Sequence, residues 1–364
     1  MDLSDRLQRM EPMSAGPNEL DLSLLELPPQ YEILTQVAVG GMGSVFRAKN
    51  RYTGANVAIK VMRSEAAQNQ TAIQRFFLEA KATSLLKHSN ICRLLDFGVG
   101  KNNGMPYLVM DWVDGINLEK KILSGYRFAM PEALTIFRQV ASALAHAHQK
   151  KIIHRDLKPE NIMVNYNANG QIEVQLVDFG IAKMFGDPSV QDNAMTKVGI
   201  AVGTPAYMSP EQARGLAVDP RTDVYSLGCV MYFTVTGKAP FGGGTTRQVM
   251  EKHLYQQPPA IDAALQIPHG LKMIIQKAMN KETKFRYANM DQLVNDLDQL
   301  INPPQTTTES VAVKSNPVKK ALIWLFWFVI SFSVVFLASK AILNLPDEPD
   351  APTAKNTMLH HNHK

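Results

Sequence analysis

The sequence is poor in cysteine and has no segment typical of a secreted protein. Only two of its 364 residues are cysteines, Cys92 and Cys229, and neither belongs to a CxxC motif or a Cys/His cluster. This excludes a disulfide framework and a zinc site, and it favours a reducing compartment. Residues 1–6 show no basic patch followed by an apolar run, so no secretory signal peptide is predicted.

The sequence also lacks a large excess of positive or negative charge. The formal net charge is only +5, and the lysines and arginines form no concentrated stripe. A nucleic-acid-binding protein usually carries such a stripe, so no nucleic-acid partner is expected. The hydrophobic content of 45% is enough for one large domain or two ordinary ones.

The pattern of apolar residues divides the chain into a β-rich part and a helical part. Residues 1–30 mix proline, serine and acidic residues and are expected to form a flexible leader. Residues 31–114 are predicted to form a small lobe, and residues 115–300 a larger helical lobe, with Gly115 near the hinge. The small lobe should contain strands at 31–39, 44–49, 57–61, 91–97 and 107–112 and a helix at 71–87. The large lobe should contain a helix starting at Pro131 and Glu132, and others at 223–236, 246–255, 269–279 and 290–301.

A long uncharged run follows the helical part. Residues 302–318 are rich in proline, threonine and serine and are expected to form a linker. Residues 321–339 carry no charge and, as a helix rising ~1.5 Å per residue, would cross a hydrocarbon core ~30 Å thick. A buried core helix is the alternative, but the run is longer than most core helices and lies outside the predicted domain. One transmembrane helix is therefore predicted, with Trp324 and Trp327 near the interface.

The flanking charges predict how this helix is oriented. Lys314, Lys319 and Lys320 precede it, whereas Lys340 and Lys355 follow it. This weak bias places the N-terminal side in the cytoplasm. The expected location is thus the cytoplasmic (inner) membrane, crossed once, with residues 340–364 as a short extracytoplasmic tail. The helix has no GxxxG pattern, which leaves dimerisation through it open.

A glycine-rich segment, VAVGGMGSV at residues 37–45, lies between two predicted strands. Glycines allow backbone amides to approach phosphate oxygens closely, although taken alone a glycine-rich hairpin turn is the commoner explanation of such a run. A strand rather than a helix follows, and no GxxxxGK[ST] occurs, so a dinucleotide fingerprint and a Walker loop are both disfavoured. The candidate nucleotide-binding residues in this segment are Val37, Ala38, Gly40, Gly41, Gly43 and Val45.

Three further motifs predict phosphoryl transfer. In VAIK at residues 57–60, Lys60 could hold the α- and β-phosphates while Glu79, nineteen residues on, holds Lys60. The string HRDLKPEN occupies residues 154–161, and VDFG occupies residues 177–180. In the predicted chemistry Asp156 accepts the proton of the attacking hydroxyl and Lys158 neutralises the transferred phosphate. The predicted metal ligands for Mg²⁺, or Mn²⁺ in its place, are Asn161 and Asp178.

With these motifs the sequence resembles the eukaryotic-type protein kinase superfamily over about residues 31–300. It looks most like the bacterial branch, because GGMG at residues 40–43 and GTPAYMSPEQ at residues 203–212 are sequences typical of that branch. The resemblance implies an α+β, bilobal protein kinase fold that uses ATP. By that resemblance residues 154–161 are the catalytic loop.

The resemblance also assigns roles outside these motifs. Ala58 would belong to the nucleotide site, Met110 would be the gatekeeper, and the backbone from Asp111 to Val113 would bind adenine. The remaining implied roles are a buried ion pair between Glu211 and Arg286, and an anchor for the catalytic loop at Asp223.

Acceptor specificity and regulation follow from the same resemblance. Lys158 and Thr204 stand where serine/threonine kinases have them, so serine and threonine acceptors in protein substrates are expected. Arg155 before Asp156 usually accompanies activation-loop phosphorylation, for which Thr196 is the best-placed acceptor. A homodimer could support this reaction in trans. Ala38 departs from the usual first loop glycine, which predicts weaker nucleotide affinity.

Two function classes remain at this point. The first is an active membrane-anchored kinase, and the second is a membrane-tethered pseudokinase that acts as a binding or scaffold module. The family's phosphate-, metal- and proton-handling residues are all present, namely Lys60, Glu79, Asp156, Asn161 and Asp178. Because a pseudokinase typically lacks at least one of them, the active enzyme is favoured.

Overall fold

A computed structural model describes residues 27–39, 43–62, 70–100, 105–179 and 205–303, together with 325–327, 330–331 and 333. The chain divides into two units, Met1–Pro303 and Pro304–Lys364. In the second unit the described residues are helical, and Leu325, Phe326 and Trp327 are exposed. No helix within the described ranges is long and apolar enough to cross a bilayer. Most of residues 321–339 lie outside those ranges, so the membrane span stays a prediction.

The N-terminal lobe is built on a five-stranded antiparallel sheet. Its strands run in the order β1-β2-β3-β5-β4. The strands are β1 Tyr31–Val39, β2 Gly43–Asn50, β3 Asn56–Met62, β4 Leu94–Val99 and β5 Pro106–Asp111. All five predicted strands are present, but the run predicted from Ile91 starts as a strand only at Leu94. Ile91 instead forms an isolated β-bridge with Leu176 of the C-terminal lobe. Its extended backbone therefore connects the two lobes and does not extend β4.

Strand alternation gives this sheet two different faces. Phe46, Ile59 and Val109 are fully buried on one face, where they form the core of the lobe. Because successive side chains of a strand point to opposite faces, the residues between them line the other face. That second face carries the paired positions Val45 and Lys60.

One helix packs on the sheet. Helix α1, Gln70–Ser84, places Phe76 and Ala80 against Met62 and Leu108. It was predicted to reach Lys87 but ends three residues earlier, where Leu85 and Leu86 bond to carbonyls three residues back. The chain turns at this point because Leu86 is buried in the core of the C-terminal lobe.

The C-terminal lobe is mainly helical but contains a small sheet that was not predicted. This antiparallel sheet has the order β6-β7-β8. Its strands are β6 Ile116–Asn117, β7 Ile162–Tyr166 and β8 Ile172–Leu176. Strands of two to five residues show too little alternation to stand out in a sequence. The helices are α2 Leu118–Leu123, α3 Met130–Gln149, α4 Pro210–Ala213, α5 Arg221–Thr236, α6 Thr246–Tyr255, α7 His269–Ala278 and α8 Met290–Ile301.

Helix α5 is the centre of this lobe. Every residue from Thr222 to Val235 is buried, as expected for a helix that is largely apolar on all sides. Gly228 permits close contact with α7, since a Cβ there would lie 3.0 Å from the Cβ of Ala278. The first turn of α5 carries Asp223, a fully buried carboxylate, directly beneath the catalytic loop.

The two lobes are joined between β5 and β6. Gly115 lies in this connection with φ of 119°, a conformation that side-chain-bearing residues rarely adopt. A Cβ at this position would lie 2.4 Å from the carbonyl oxygen of Val164. The hinge therefore requires glycine for both its backbone angle and its close approach to β7.

Candidate active site

The catalytic loop is held from below by Asp223. One carboxylate oxygen of Asp223 accepts from the backbone amide of His154 at 2.8 Å, and the other from that of Arg155 at 2.9 Å. His148 Nε2 lies 2.7 Å from the first of these oxygens. Burial acts to raise the pKa of Asp223, but the contacts from His148 and His154 outweigh it, so the pKa lies below its ordinary value. The carboxylate therefore stays charged and holds the loop backbone.

Within the loop, Asp156 lies beside the two residues predicted to act with it. Lys158 Nζ is 3.5 Å from a carboxylate oxygen of Asp156. The side-chain amide of Asn161 donates to the backbone carbonyl of Asp156 at 2.8 Å. The Asn161 backbone carbonyl accepts from the amide of Val177 at 2.9 Å, which ties the loop to the segment that ends in Asp178.

Lys60 and Asp178 meet across the cleft between the lobes. Lys60 Nζ on β3 lies 2.9 Å from Asp178 Oδ1, just after β8. Burial acts to raise the pKa of Asp178, but the charge and hydrogen bond of Lys60 outweigh it and leave the pKa lowered. Glu79 lies on α1, but its side chain is outside the described part of the molecule. The Lys60–Glu79 pair therefore stays a prediction, and the Lys60–Asp178 pair was not anticipated.

The backbone of Asp178 is in the left-handed region, with φ of 54°. A non-glycine residue rarely adopts this angle, and such residues cluster at functional sites. The next residue, Phe179, is buried and stacks on His154 with ring centroids 4.5 Å apart. This stack joins the segment after β8 to the catalytic loop.

Four of the predicted nucleotide residues share one face of the N-terminal sheet, namely Ala38, Val45, Ala58 and Lys60. Val45 pairs with both Ala38 and Lys60, and Ala58 pairs with the gatekeeper candidate Met110. Gly43 is required by its surroundings, because a Cβ there would lie 2.1 Å from the carbonyl oxygen of Val61. Val37, two residues before the end of β1, is 44% exposed, whereas Gly40 and Gly41 lie outside the described residues.

The hinge candidates lie where β5 leaves the sheet. The Asp111 amide donates to the carbonyl of Arg93 at 3.0 Å, and the Arg93 guanidinium contacts the Asp111 carboxylate at 3.1 and 3.3 Å. Val113 borders a small cavity of about 110 Å³ that Met163 of β7 also lines. Met163 was not singled out in the sequence. The only sequence signal for Met163 is its position two residues after Asn161, close to the predicted catalytic motif.

The oxygen ligands predicted for a divalent cation fit that role chemically. Because the Asn161 amide nitrogen is engaged by the Asp156 carbonyl, its amide oxygen is left to act as a ligand. In the described part of the chain, Lys60 contacts the Oδ1 oxygen of the Asp178 carboxylate. Carboxylate and amide oxygens suit Mg²⁺.

The predicted ion pair between Glu211 and Arg286 is present and buried. Two guanidinium nitrogens of Arg286 contact the two carboxylate oxygens of Glu211 at 2.8 and 2.9 Å. The Thr222 hydroxyl also donates to this carboxylate at 2.6 Å. Burial acts to raise the pKa of Glu211, but these donors outweigh it, so its pKa is lowered. The regulatory candidates Thr196 and Thr204 lie outside the described ranges.

Comparison with known families gives a direct match. The model of the protein kinase domain matches residues 31–297. The chain belongs to the protein kinase family.

Curated relatives of this kinase domain come from several bacteria. The serine/threonine-protein kinase PrkC of Bacillus subtilis is 34% identical over 269 residues, which cover 74% of this chain and 40% of PrkC. The serine/threonine-protein kinase PknA of Mycobacterium tuberculosis is 36% identical over 264 residues, covering 72% of this chain and 59% of PknA. The chain thus spans about 40% of the length of relatives such as PrkC.

A solved structure shares the fold. The kinase domain of Mycobacterium tuberculosis PknI, crystallised as a double mutant, superposes with a TM-score of 0.59 at 22% sequence identity. The match covers 76% of this chain and 98% of the PknI domain. It supports the predicted bilobal fold of a β-rich N-lobe and a helical C-lobe.

The buried pair in the C-lobe makes a stability prediction. Arg286→Met should lower the free energy of unfolding by about 3–5 kcal/mol, because it leaves the Glu211 carboxylate buried without its partner. Arg138→Met is the matched control, since Arg138 pairs with Asp298 on the exposed surface and its loss should cost at most about 1 kcal/mol. Urea unfolding of the purified chain measures both. Equal losses in the two variants would contradict the role of the buried pair.

Proposed function

We propose that this kinase domain transfers the γ-phosphate of ATP to serine and threonine hydroxyls of protein substrates. The observation that carries the proposal is the convergence of Lys60 and Asp178 at 2.9 Å with Lys158 and Asp156 at 3.5 Å. The curated relatives named serine/threonine-protein kinases support the choice of acceptor.

Each residue has a defined task in this reaction. The Asp156 carboxylate orients the acceptor hydroxyl and accepts its proton, while Lys158 offsets charge on the phosphate being transferred. Lys60 contacts the nonreacting phosphates, and the hinge backbone from Asp111 to Val113 binds adenine. Asn161 and Asp178 would hold Mg²⁺, or Mn²⁺, which when bound supplies positive charge next to the phosphates.

The second candidate is a pseudokinase that binds partners without transferring phosphate. The preserved set of catalytic side chains disfavours it. Lys60 and Asp178 are also brought together in the structure, and each is one of the groups that phosphate or metal would contact.

Labelled ATP distinguishes the two functions. The purified chain with γ-³²P-ATP and Mg²⁺ should label a generic serine/threonine substrate. Asp156→Asn removes the proton acceptor with almost no change of shape, so the rate should fall about 10²- to 10⁴-fold. The exposed Asp291 provides a control, since Asp291→Asn should keep the wild-type rate. A wild-type chain that binds ATP but transfers no phosphate would establish the pseudokinase instead.

We infer that the kinase is activated by phosphorylation at Thr196, in trans within a homodimer. Arg155 supports this, because its side-chain Nε is buried and meets no hydrogen-bond acceptor among the described residues. A phosphate carrying almost two negative charges would satisfy this guanidinium and order the loop.

Loss of this acceptor should reduce activity. Thr196→Ala is expected to lower the rate about tenfold or more, comparable to the loss of one strong charge-assisted contact. Ser189→Ala, in the same segment, should leave the rate unchanged. Mass spectrometry of the wild-type protein should find phosphate at Thr196. Full activity of Thr196→Ala together with an unmodified Thr196 would rule the site out.

We further propose that residues 321–339 anchor the kinase in the cytoplasmic membrane, with the kinase domain in the cytoplasm. Support comes from the nineteen uncharged residues of this segment and from the lysines that precede it. ATP supply in the cytoplasm fits the same orientation. The anchor would confine phosphorylation to substrates near the bilayer.

Cell fractionation tests the anchor. The full chain should pellet with membranes and resist carbonate extraction, because a spanning helix is released only by detergent. A chain ending at Pro303 should move to the soluble fraction. Recovery of the full chain in the carbonate supernatant would show that the segment does not span.

A further inference from the structure

Gln212 uses both ends of its side-chain amide. It lies in α4, one turn of helix that starts after Ser209. Its Oε1 accepts from the backbone amide of Ser209 at 3.0 Å, and the backbone amide of Gln212 donates to the Ser209 hydroxyl at 3.3 Å, which completes a capping box. Its Nε2 donates to the carbonyl oxygen of Arg155 at 2.8 Å. A helix cap thus also binds the catalytic loop.

The Arg155 carbonyl is a sensitive point of contact. Arg155 precedes Asp156 and has φ of 62°, a left-handed backbone that costs a non-glycine residue about 1–3 kcal/mol. Such a conformation persists only where its surroundings hold it. Asp223 holds the Arg155 amide at 2.9 Å, and Gln212 holds the carbonyl of the same residue. The backbone amide and carbonyl of Arg155, the residue before Asp156, are therefore both held by side chains.

Only a side chain with an acceptor and a donor can make both of these contacts. Glutamate at position 212 could still accept from Ser209 but would turn a carboxylate oxygen toward the Arg155 carbonyl. Methionine has a similar length and could do neither. The position of Gln212 is itself secured, because its neighbour Glu211 is paired with Arg286 at 2.8 and 2.9 Å.

We propose that Gln212 is a positioning residue for the proton acceptor Asp156. It fixes the peptide group that leads into Asp156 and so sets the direction of the carboxylate toward the acceptor hydroxyl. It also connects α4, which follows Thr196 and Thr204 in the chain, to the catalytic loop. The inference rests on the proposed kinase function. In the sequence Gln212 stood out only as part of GTPAYMSPEQ, with no role of its own.

The chain contains a matched control for the cap. At the start of α6, Gln248 Oε1 accepts from the backbone amide of Thr245 at 2.8 Å, and the backbone amide of Gln248 donates to the Thr245 hydroxyl at 3.3 Å. Gln248 is exposed, and its cap involves no part of the catalytic loop. Glutamate keeps the side-chain acceptor of the cap at both positions, and methionine removes it at both. Only the variants at 212 also change the contact with Arg155.

Three measurements on the full chain test the proposal. Single-turnover phosphate transfer, which excludes product release, should slow about 10- to 100-fold in Gln212→Glu and Gln212→Met, since small misplacements of a reacting group have effects of this size. The KM for ATP should stay within about twofold, because Gln212 does not touch the predicted nucleotide face. Amide hydrogen exchange of residues 152–161 should accelerate in both Gln212 variants. The Gln248 variants should match wild type in all three.

The outcomes separate this inference from the proposed function. Transfer rates or loop exchange in the Gln212 variants equal to those of the Gln248 variants would overturn it. A wild-type chain without transfer would refute the proposed function, and the exchange comparison would still decide whether Gln212 holds the loop. If Gln212→Met does not fold, the isosteric Gln212→Glu, which keeps the acceptor for Ser209, carries the comparison.

Discussion

A buried negative charge organises the C-terminal lobe of this kinase. Asp223 has no exposed surface, so its carboxylate must receive hydrogen bonds from the protein to remain charged. It obtains them from His148 and from the backbone amides of His154 and Arg155. The first turn of α5 is also a favourable place for a negative charge, because the helix dipole is positive there. The catalytic loop thus takes its shape from the most buried helix of the lobe.

A second buried charge network extends this arrangement to α4. Glu211 and Arg286 form a bidentate pair, and Thr222 of α5 donates to the same carboxylate. A buried ion pair is weak grounds for net stability, since its desolvation cost is large. What it does provide is a defined position for α4, from which Gln212 reaches Arg155. The two networks approach the same residue of the catalytic loop from opposite ends of its backbone.

Two residues of the active site have a strained backbone conformation. Arg155 and Asp178 have φ of 62° and 54°, and each lies next to or within a predicted catalytic motif. Contacts from outside the local segment hold both residues: Asp223 holds the first, and Lys60 of the opposite lobe holds the second. Because Lys60 and Asp178 belong to different lobes, their 2.9 Å contact depends on how the lobes close on each other. The stack of Phe179 on His154 joins the segment that carries Asp178 to the catalytic loop.

The sequence was informative wherever the signal was local. Alternation of apolar residues predicted β1 to its exact ends, and the spacing of apolar residues predicted α6 and α8 equally well. It failed at the end of α1 and at Ile91, where burial against the other lobe decided the backbone. It also missed β6 to β8, whose strands are too short to show a period.

The candidate site divides in the same way. The motifs identified Asp156, Lys158, Asn161 and Asp178, because their spacing along the chain is itself the signal. The family resemblance also implied Asp223 as the anchor of the catalytic loop, which the structure shows. Only the tertiary structure revealed the other distant contacts. Lys60 meets Asp178 across 118 positions, His148 meets Asp223 across 75, and Gln212 meets Arg155 across 57. Periodicity reports only which face of an element is buried, whereas these contacts depend on how whole elements pack, and no local pattern encodes that.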